Sequence, residues 1–250
     1  MRWTILPIAS ASLRLIHLND LHGKLRPEHI PLIVAHRTEV CLALETGDGI
    51  SAGNLAIPTR EEKVWSLLSK IPIDAGTIGN RETHLLSSAF EAKLKGHQHP
   101  LLCANLTAKS DGSHPLPGSL VFERGGWRIG LIGVSVPMVT AKMTARAASA
   151  YLWEDPILAA RREAGALRPS VDVVIGLTHI GLSKDKMLAE AVPEFDIILG
   201  GHSHSVLEQP LRHHETWICQ GGSHARFVGV YDFDPRTKQL TGQLHPLFTN

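Results

Sequence analysis

The chain has 250 residues, of which 43% are hydrophobic and 20% are charged, and its formal net charge is +1 with histidine neutral. These values are ordinary for a globular protein with a substantial core. The lysines and arginines are scattered, so the charge pattern predicts neither a nucleic-acid partner nor an anionic membrane partner. The apolar stretches are too short to predict a membrane-spanning helix.

The cysteines and the N-terminus bear on the cellular compartment. Cys41, Cys103 and Cys219 are far apart and form no C-x-x-C motif, so we predict reduced, buried thiols rather than disulfides or a zinc ribbon. The N-terminal MRWTILPIASAS contains a short apolar core at 3–8, but Pro7 interrupts it. We interpret 3–8 as a first strand and expect a cytoplasmic protein, with export through a short or missing leader as the alternative.

Apolar runs of strand length recur along the chain, and several are almost continuous Val, Ile and Leu, as is typical of strands buried on both faces. These runs occupy residues 13–18, 40–46, 73–79, 100–105, 128–134, 171–178 and 195–201. Helical patterns lie between them at 59–70, 83–96, 154–167 and 183–192. Asp155 followed by Pro156 predicts an N-cap for the third helix, and Ser183 predicts one for the fourth. The alternation predicts an α/β protein.

The C-terminal part has a different pattern. Residues 217–222, 226–234 and 239–247 are predicted to be strands joined by short turns, with a hairpin at the edge of the α/β core. The sequence contains no linker-like segment, repeat or shift in composition. We therefore expect a single domain over residues 1–250.

Polar residues follow five of the predicted strands at the point where each strand ends. Parallel α/β sheets bind ligands at the carboxyl ends of their strands, so these side chains are predicted to meet in one crevice. They are Asp20, His22, Asp48, Asn80, His179, His202 and His204. Three oxygen donors and four imidazoles suit Mn, Fe, Zn or Co better than Ca or Mg. Seven side chains are too many for one ion, so the set predicts two divalent metal ions.

Each of these motifs has an ordinary structural explanation when it is considered alone. Asp-x-His occurs by chance, Gly-Asp-Gly is often only a turn, and a single histidine after a strand is usually a satisfied polar group. Two histidines in GGHSH after a buried strand are harder to explain by packing. The joint occurrence of all the motifs, each at a strand end, favours one shared site.

In chain order, the segments NDLHG, TGDGIS, GTIGNRE, GLTHIG and GGHSH resemble the signature blocks of the calcineurin-like metallophosphoesterases, in particular the catalytic domain of the 5′-nucleotidase family. CANL at 103–106 and CQGGSHARFVGVYDFD at 219–234 extend the resemblance over nearly the whole chain. The resemblance implies a four-layer α/β/β/α sandwich with two central mixed sheets. It also implies the ligands of each metal ion, namely Asp20, His22, Asp48 and His204 for one and Asp48, Asn80, His179 and His202 for the other.

The same resemblance implies a hydrolase that cleaves phosphate monoesters, nucleotides among them, by attack of a metal-bridging hydroxide. Manganese is the expected metal, with iron, zinc or cobalt as alternatives, and a small phosphorylated molecule is the expected partner. A phosphodiesterase with the same ligands is an alternative. We expect the nucleobase-stacking C-terminal domain of the 5′-nucleotidases to be absent, so nucleotide specificity does not follow. The sequence does not predict an oligomeric state.

The segment GNRETH departs from the family pattern. A histidine that faces the phosphate normally follows the metal-binding asparagine, and an aspartate three residues later holds it; here these positions are Arg81 and His84. We predict that Arg81 places a fixed positive charge on the phosphoryl oxygens and that His84 is a candidate proton donor. Two alternatives are a site that binds metal and phosphate but turns over poorly, and an Arg81 that only pairs with Glu82 or Glu45.

A few further polar residues are considered at the sequence level. Asn105 is a candidate for substrate contact, and closing a turn is its alternative role. His224 lies near the predicted crevice but receives no role. We interpret His97 and His99 as part of a solvated loop, and RHHE at 212–215 as a turn before a strand.

Overall fold

The computed structural model describes residues 12–248, so the strand predicted at 3–8 and the question of a leader lie outside the described residues. The strands are β1 Leu13–Leu18, β2 Cys41–Thr46, β3 Ala75–Thr77, β4 Leu101–Leu102, β5 Leu106–Ala108, β6 Ser119–Arg124, β7 Trp127–Ser135, β8 Tyr151–Trp153, β9 Val173–His179, β10 Ile197–Gly200, β11 Leu211–His213, β12 Thr216–Gln220, β13 Phe227–Asp234 and β14 Gln239–Pro246. The α-helices are α1 His29–Val34, α2 Lys63–Leu68, α3 Ser87–Leu94, α4 Pro156–Leu167 and α5 Leu182–Ala191. Two short 3₁₀ helices cover Thr144–Ala147 and Arg168–Ser170.

The strands form two six-stranded mixed sheets and one small two-stranded sheet. The first large sheet has the order β14-β13-β1-β2-β3-β4, and the second has the order β11-β12-β10-β9-β7-β6. In the first, β1 to β4 are parallel and β13 and β14 are antiparallel to their neighbours. In the second, β7, β9, β10 and β12 are parallel, while β6 and β11 are antiparallel edge strands.

The two large sheets pack face to face with helices on their outer faces. Leu15 and Leu44 of the first sheet share an inner core with Ile175 and Leu199 of the second sheet. Helices α2 and α3 cover the outer face of the first sheet, and α4 and α5 cover that of the second. Successive side chains of a strand point to opposite faces, so a strand between two apolar layers must be apolar throughout. The predicted four-layer α/β/β/α sandwich is confirmed.

The helix signals are partly confirmed. Asp155 caps α4, since its carboxylate accepts hydrogen bonds from the backbone N–H groups of Ile157 and Leu158 at 2.8 and 3.2 Å. The cap predicted at Ser183 is wrong, because the N-cap residue of α5 is Gly181. The first amide of the helix, that of Leu182, instead donates to the hydroxyl of Ser203 at 3.1 Å. A side chain distant in sequence therefore replaces the local cap.

The predicted C-terminal hairpin is confirmed as β13 and β14, which pair in antiparallel register from Asp234–Gln239 to Phe227–Pro246 at the edge of the first sheet. The preceding strand, β12, belongs to the other large sheet, where it lies parallel to β10. The short strands β5, β6, β8 and β11 and the helix α1 were not predicted. β5 and β8 pair with each other across more than 40 residues, so local patterns do not reveal them, whereas β6 and β11 pair with the strand that follows each of them and were missed.

The structure also bears on the cysteines and on membrane-spanning helices. The three cysteines are free and buried, as predicted. None of the helices among residues 12–248 has the length and apolar character needed to cross a membrane.

Candidate metal centre

The carboxyl ends of β1, β2, β3, β9 and β10 meet where the edges of the two large sheets come together. Backbone hydrogen bonds tie the loops after β1 and β2, from Asp20 N to Gly47 O at 3.0 Å and from His22 N to Asp48 O at 2.8 Å. His179, the last residue of β9, joins the sheets because its Nδ1 lies 2.7 Å from the carbonyl oxygen of Thr46 at the end of β2. The crevice predicted from the strand ends is therefore formed.

One half of the cluster surrounds Asp20. His204 Nε2 lies 3.3 Å from Asp20 Oδ1 and 2.9 Å from His22 Nε2. His22 Nε2 lies 3.8 Å from the same carboxylate oxygen, and His22 Nδ1 lies 4.0 Å from Asp48 Oδ2. Asp20, His22 and Asp48 offer three ligand atoms within 4.8 Å of one another. The spacing suits a single divalent ion.

The other half of the cluster surrounds Asn80. Its Oδ1 lies 3.2 Å from His179 Nε2 and 2.9 Å from His202 Nδ1. His179 Nε2 also lies 3.4 Å from Asp48 Oδ1. The two oxygens of Asp48 thus face the two halves of the cluster, and all seven predicted residues are brought together.

The backbone at these residues is in an unusual conformation. Among residues 12–248, nine non-glycine residues have positive φ, and five of them belong to the predicted ligand set: Asp20, His22, Asp48, His202 and His204, with φ between 49° and 76°. A left-handed backbone is disfavoured for residues with a Cβ and concentrates at functional sites. Glycines allow the loops to approach: a Cβ on Gly79 would lie 2.3 Å from Asp48 Oδ1.

Burial and opposite charges act against each other in the cluster. Burial alone would lower the pKa of His179, but the carboxylates of Asp48 and Asp20 outweigh it and raise that pKa to about 9. Burial would raise the pKa of Asp48, and the bond to His179 helps to lower it to about 2. Burial and then the charge of Arg81 lower the pKa of His22 to about 4. The two carboxylates therefore favour a positive charge at His179, in the middle of the cluster.

The donor set fits divalent metal ions. His22 Nδ1 is buried and has no hydrogen-bond partner among the described residues. Such orphaned polar atoms are rare in protein interiors and call for a missing partner. Two carboxylates, one amide oxygen and four imidazoles are ligands for borderline transition metals. The residues could therefore hold metal.

Sequence analysis gave Glu82 no role in shaping the site. Its side chain is buried and accepts hydrogen bonds from the backbone N–H groups of Asp48 and Gly79, at 2.9 and 2.8 Å, and of Ile50 at 3.1 Å. Burial and the nearby carboxylates of Asp48 and Glu45 raise the pKa of Glu82 to about 7. One carboxylate thus fixes the loop that carries Asp48 to the loop that carries Asn80. The sequence shows a glutamate two residues after Asn80, but it does not show which way the side chain points.

Lys93 on α3 is a second organising residue that the sequence did not reveal. Its side chain is fully buried, and Nζ donates to four carbonyl oxygens at distances from 2.6 to 3.0 Å. These carbonyls belong to Gly53, Asn54, Arg81 and Thr83. Lys93 therefore holds the segment after Asn80 against the segment that follows Asp48.

Arg81 lies at the edge of the cluster. Its backbone N–H donates to Asp48 Oδ1 at 2.8 Å, its guanidinium Nη1 donates to the carbonyl oxygen of Ser51 at 3.0 Å, and Nε lies 3.9 Å from Asp48 Oδ2. The suggested pairing with Glu82 or Glu45 is wrong, because Glu82 binds the three amides described above and Glu45 accepts from Gly47 N and contacts His99. The Arg81 side chain is 30% exposed, so it can still meet an incoming anion.

The contacts of His84 and Asn105 are structural. His84 is buried, and its Nδ1 accepts a hydrogen bond from Leu86 N at 3.0 Å. Asn105 is fully buried; it donates to Ser135 O at 2.8 Å and accepts from Ser135 N at 3.0 Å. These bonds anchor the end of β7, so the structure favours the structural alternative for Asn105. A proton-donating role for His84 stays a prediction.

His224 is a further imidazole at the cluster that the sequence analysis left without a role. Its ring lies 4.7 Å from that of His22 and 5.8 Å from that of His204, and its backbone N–H donates to Asp20 O at 2.7 Å. His22, His204 and His224 could hold a metal ion. The position after GGS was the only signal. The solvated loop predicted at 97–99 is partly wrong, because His99 is buried against Glu45.

A cavity of about 410 Å³ opens beside His224. Its lining includes the cationic side chains of Lys24, Arg26 and Arg226. Burial lowers the pKa of His224, and the positive charges of Arg226, Lys24 and Arg81 lower it further. The approach to the cluster is therefore electropositive.

Fold and site together define an α/β/β/α protein with a group of side chains that could hold metal, and the comparisons agree with this fold. No model of a known protein family matches the chain. An uncharacterized metallophosphoesterase, YunD, of Bacillus subtilis is 28% identical over 235 residues, covering 88% of this chain and 49% of the relative. A 5′-nucleotidase of Mus musculus is 26% identical over 232 residues, covering 80% of this chain and 39% of the relative. The chain thus spans about half, or less, of these relatives.

Among solved structures, the calcineurin-like phosphoesterase YfkN of Bacillus subtilis aligns with a TM-score of 0.77 and 18% identity, covering 95% of this chain and 91% of that one. At this identity, the likeness shows the fold alone. The chain is thus similar in sequence to a metallophosphoesterase and a 5′-nucleotidase, and similar in fold to a calcineurin-like phosphoesterase.

Proposed function

We propose that this protein is a metal-dependent hydrolase of phosphate monoesters. The observation that carries the proposal is the convergence of two buried carboxylates, one amide oxygen and four imidazoles from both large sheets. The names of the relatives, a metallophosphoesterase and a 5′-nucleotidase, support the same chemistry. Nucleoside monophosphates are therefore among the substrates to test.

In this proposal the site holds two divalent ions, with manganese as the first candidate. Asp20, His22, Asp48 and His204 hold one ion, and Asp48, Asn80, His179 and His202 hold the other. The division is supported by Asp48, whose Oδ2 faces His22 and whose Oδ1 faces His179. When bound, such a pair of ions activates a water and neutralises the charge that develops on the phosphoryl oxygens.

The chain's own residues bind and orient the substrate. The positive charges of Lys24, Arg26 and Arg226 attract an anionic ester to the cluster, and Arg81 contacts the phosphoryl oxygens. Glu82 and Lys93 keep the loops of Asp48 and Asn80 in place, so that the donors need not reorganise during the reaction.

A second candidate is a protein that binds metal and phosphate without efficient turnover. This candidate is favoured by Arg81, which stands at the position where the family pattern has a histidine. Its Nη1 already donates a hydrogen bond to the carbonyl oxygen of Ser51. A guanidinium does not release a proton near neutral pH, so it cannot protonate the leaving group. A phosphodiesterase with the same ligands remains the alternative within enzymes.

The test compares hydrolysis of p-nitrophenyl phosphate, bis-p-nitrophenyl phosphate and nucleoside monophosphates in manganese buffer. Loss of a residue that only hydrogen-bonds to a metal ligand typically costs roughly 10–100-fold in activity. We expect Asp48→Asn, which alters a proposed ligand itself, to lower the rate of monoester hydrolysis by more than this. Asp111→Asn is the matched control, because Asp111 is exposed and accepts hydrogen bonds from nearby Ser113. Full activity in Asp48→Asn would refute the proposed centre. An inactive wild type that still binds manganese would support the binding-only candidate.

A further inference from the structure

A second group of metal-ligating side chains lies at the edge of the second large sheet, outside the site described above. Glu190 near the end of α5 faces His213, the last residue of β11, and His214, the first residue of the turn before β12. The sequence analysis interpreted this segment as a turn, and the turn is present. The new observation is that two imidazoles of this segment face a carboxylate of helix α5.

The three ligand atoms have the spacing of a metal site. His213 Nε2 lies 3.0 Å and His214 Nε2 lies 3.6 Å from the same oxygen, Glu190 Oε1. All three atoms lie within 4.8 Å of one another. Ligand atoms at ordinary zinc distances in a tetrahedron are about 3.3 Å apart, and the two observed separations fall on either side of that value.

Hydrogen bonding explains only half of this arrangement. A neutral imidazole can donate from His213 Nε2 to the carboxylate at 3.0 Å. His214 at 3.6 Å is too far for a hydrogen bond, yet its Nε2 faces the same oxygen. A divalent cation between the three atoms would satisfy both imidazoles and the carboxylate.

The local backbone brings both imidazoles to one side. Successive side chains of a strand point to opposite faces, so His213 and His214 would diverge if the strand continued. His214 instead has φ 50°, a left-handed conformation that residues with a Cβ rarely adopt. Arg212 braces the turn, since Nε donates to His214 O at 3.0 Å and Nη2 donates to Glu215 Oε2 at 2.8 Å. Glu215 is thereby paired with Arg212.

The group is open to solvent. The exposed fractions of the side chains are 55% for Glu190, 25% for His213 and 64% for His214. A cavity of about 530 Å³ beside it is lined in part by Glu190, His214 and Thr216. A fourth ligand, water or a small anion, therefore has access. We infer that Glu190, His213 and His214 form a peripheral site for a borderline divalent cation such as Zn²⁺. The cation would clamp helix α5 to the hairpin formed by β11 and β12.

The first experiment counts zinc per chain after equilibrium dialysis, by mass spectrometry of the metal. We expect His213→Ala/His214→Ala to bind about one zinc ion fewer than wild type. The control variant is His36→Ala/His245→Ala, which also removes two imidazoles; their rings lie 4.5 Å apart and make no ion pair with a carboxylate in the described part of the chain. The control should keep the wild-type count. An unchanged count in His213→Ala/His214→Ala would overturn the inference.

A second readout uses thermal unfolding and does not depend on activity. At a free zinc concentration 100-fold above its dissociation constant, occupancy of this one site should raise the unfolding temperature by roughly 5–10 °C. Glu190→Gln keeps both imidazoles and should lose most of the increment that this site contributes. If Glu190→Gln shows the full wild-type increment, the clamp does not exist. Both experiments are independent of hydrolysis, so they stand whether or not the proposed function holds.

Discussion

The function proposed for the site depends strongly on one side chain, that of Arg81. It follows Asn80, whose side chain contacts both His179 and His202. The backbone N–H of Arg81 donates to Asp48, so the backbone of Arg81 is part of the cluster. Its guanidinium is only partly buried and has one hydrogen bond, to Ser51. A permanent cation in this position can bind phosphoryl oxygens but cannot exchange protons near neutral pH.

We expect Arg81→Ala to lower kcat/KM for p-nitrophenyl phosphate by about 10–100-fold. The reason is that a charge-assisted hydrogen bond contributes about 1.5–3 kcal/mol. Arg128→Ala is the control, since Arg128 lies at the amino end of β7, away from the cluster, and is largely exposed. Initial rates across substrate concentration provide the measurement. A normal rate in Arg81→Ala, with a gain in Arg81→His, would show that the position lacks an acid rather than supplies a charge.

At the scale of elements, helices α3 and α5 each send one buried ionisable side chain under the site. Lys93 of α3 bonds four carbonyl oxygens, as described above. Asp185 of α5 accepts from Thr178 Oγ1 and Gln220 Nε2, each at 2.6 Å. Thr178 precedes His179 in β9, and Gln220 ends β12. The helices therefore position the loops and strand ends in addition to covering the sheets.

Replacing Lys93 tests the first of these supports. Lys93→Met keeps the length of the side chain but leaves four carbonyl oxygens without their shared donor. We expect the free energy of unfolding to fall by about 1–3 kcal/mol, measured by urea denaturation. Lys95→Met, on the exposed side of the same segment, should change it by no more than about 0.5 kcal/mol. Equal stability of the two variants would contradict the role of Lys93.

Asp185 should make stability depend on pH. Burial raises the pKa of Asp185 from 3.8 to about 7, so the folded state binds a proton that the unfolded state releases. This stabilisation is complete below about pH 4 and is lost as the pH rises through 7. Asp185→Asn should therefore flatten the decline in stability between pH 4 and 7, relative to wild type. Urea midpoints at several pH values test this, and parallel curves for the two proteins would contradict it.

At the scale of the whole molecule, the candidate metal centre lies between the two large sheets. Asp20, Asp48 and Asn80 follow strands of the first sheet, while His179, His202 and His204 come from the second. Apart from the apolar inner core, the two sheets also share polar side-chain contacts at this edge. Binding of a metal ion at this centre would therefore be coupled to the packing of the sheets.

Manganese should stabilise the folded protein because its ligands come from both sheets. At 100-fold excess over the dissociation constant, one occupied site contributes about 2.7 kcal/mol, or roughly 5–10 °C in Tm for a chain of this size. Asp48→Asn should lose most of this shift, while Asp111→Asn should keep it. Differential scanning calorimetry with and without manganese supplies the comparison. The same shift in both variants would place the manganese elsewhere.

The sequence by itself determined most of the strands, most of the helices and the seven cluster residues. Buried strands read as continuous apolar runs, and polar residues at the ends of parallel strands share one edge, so local patterns were sufficient. Only the tertiary structure decided that β12 joins the second sheet and that Glu82, Lys93 and His224 face the cluster. Their partners are mostly distant in sequence or are backbone groups, and a buried polar side chain shows its direction only after the chain has packed. Arg81 shows the same limit, because the residue was visible but its bonds to Asp48 and Ser51 depend on how three loops meet.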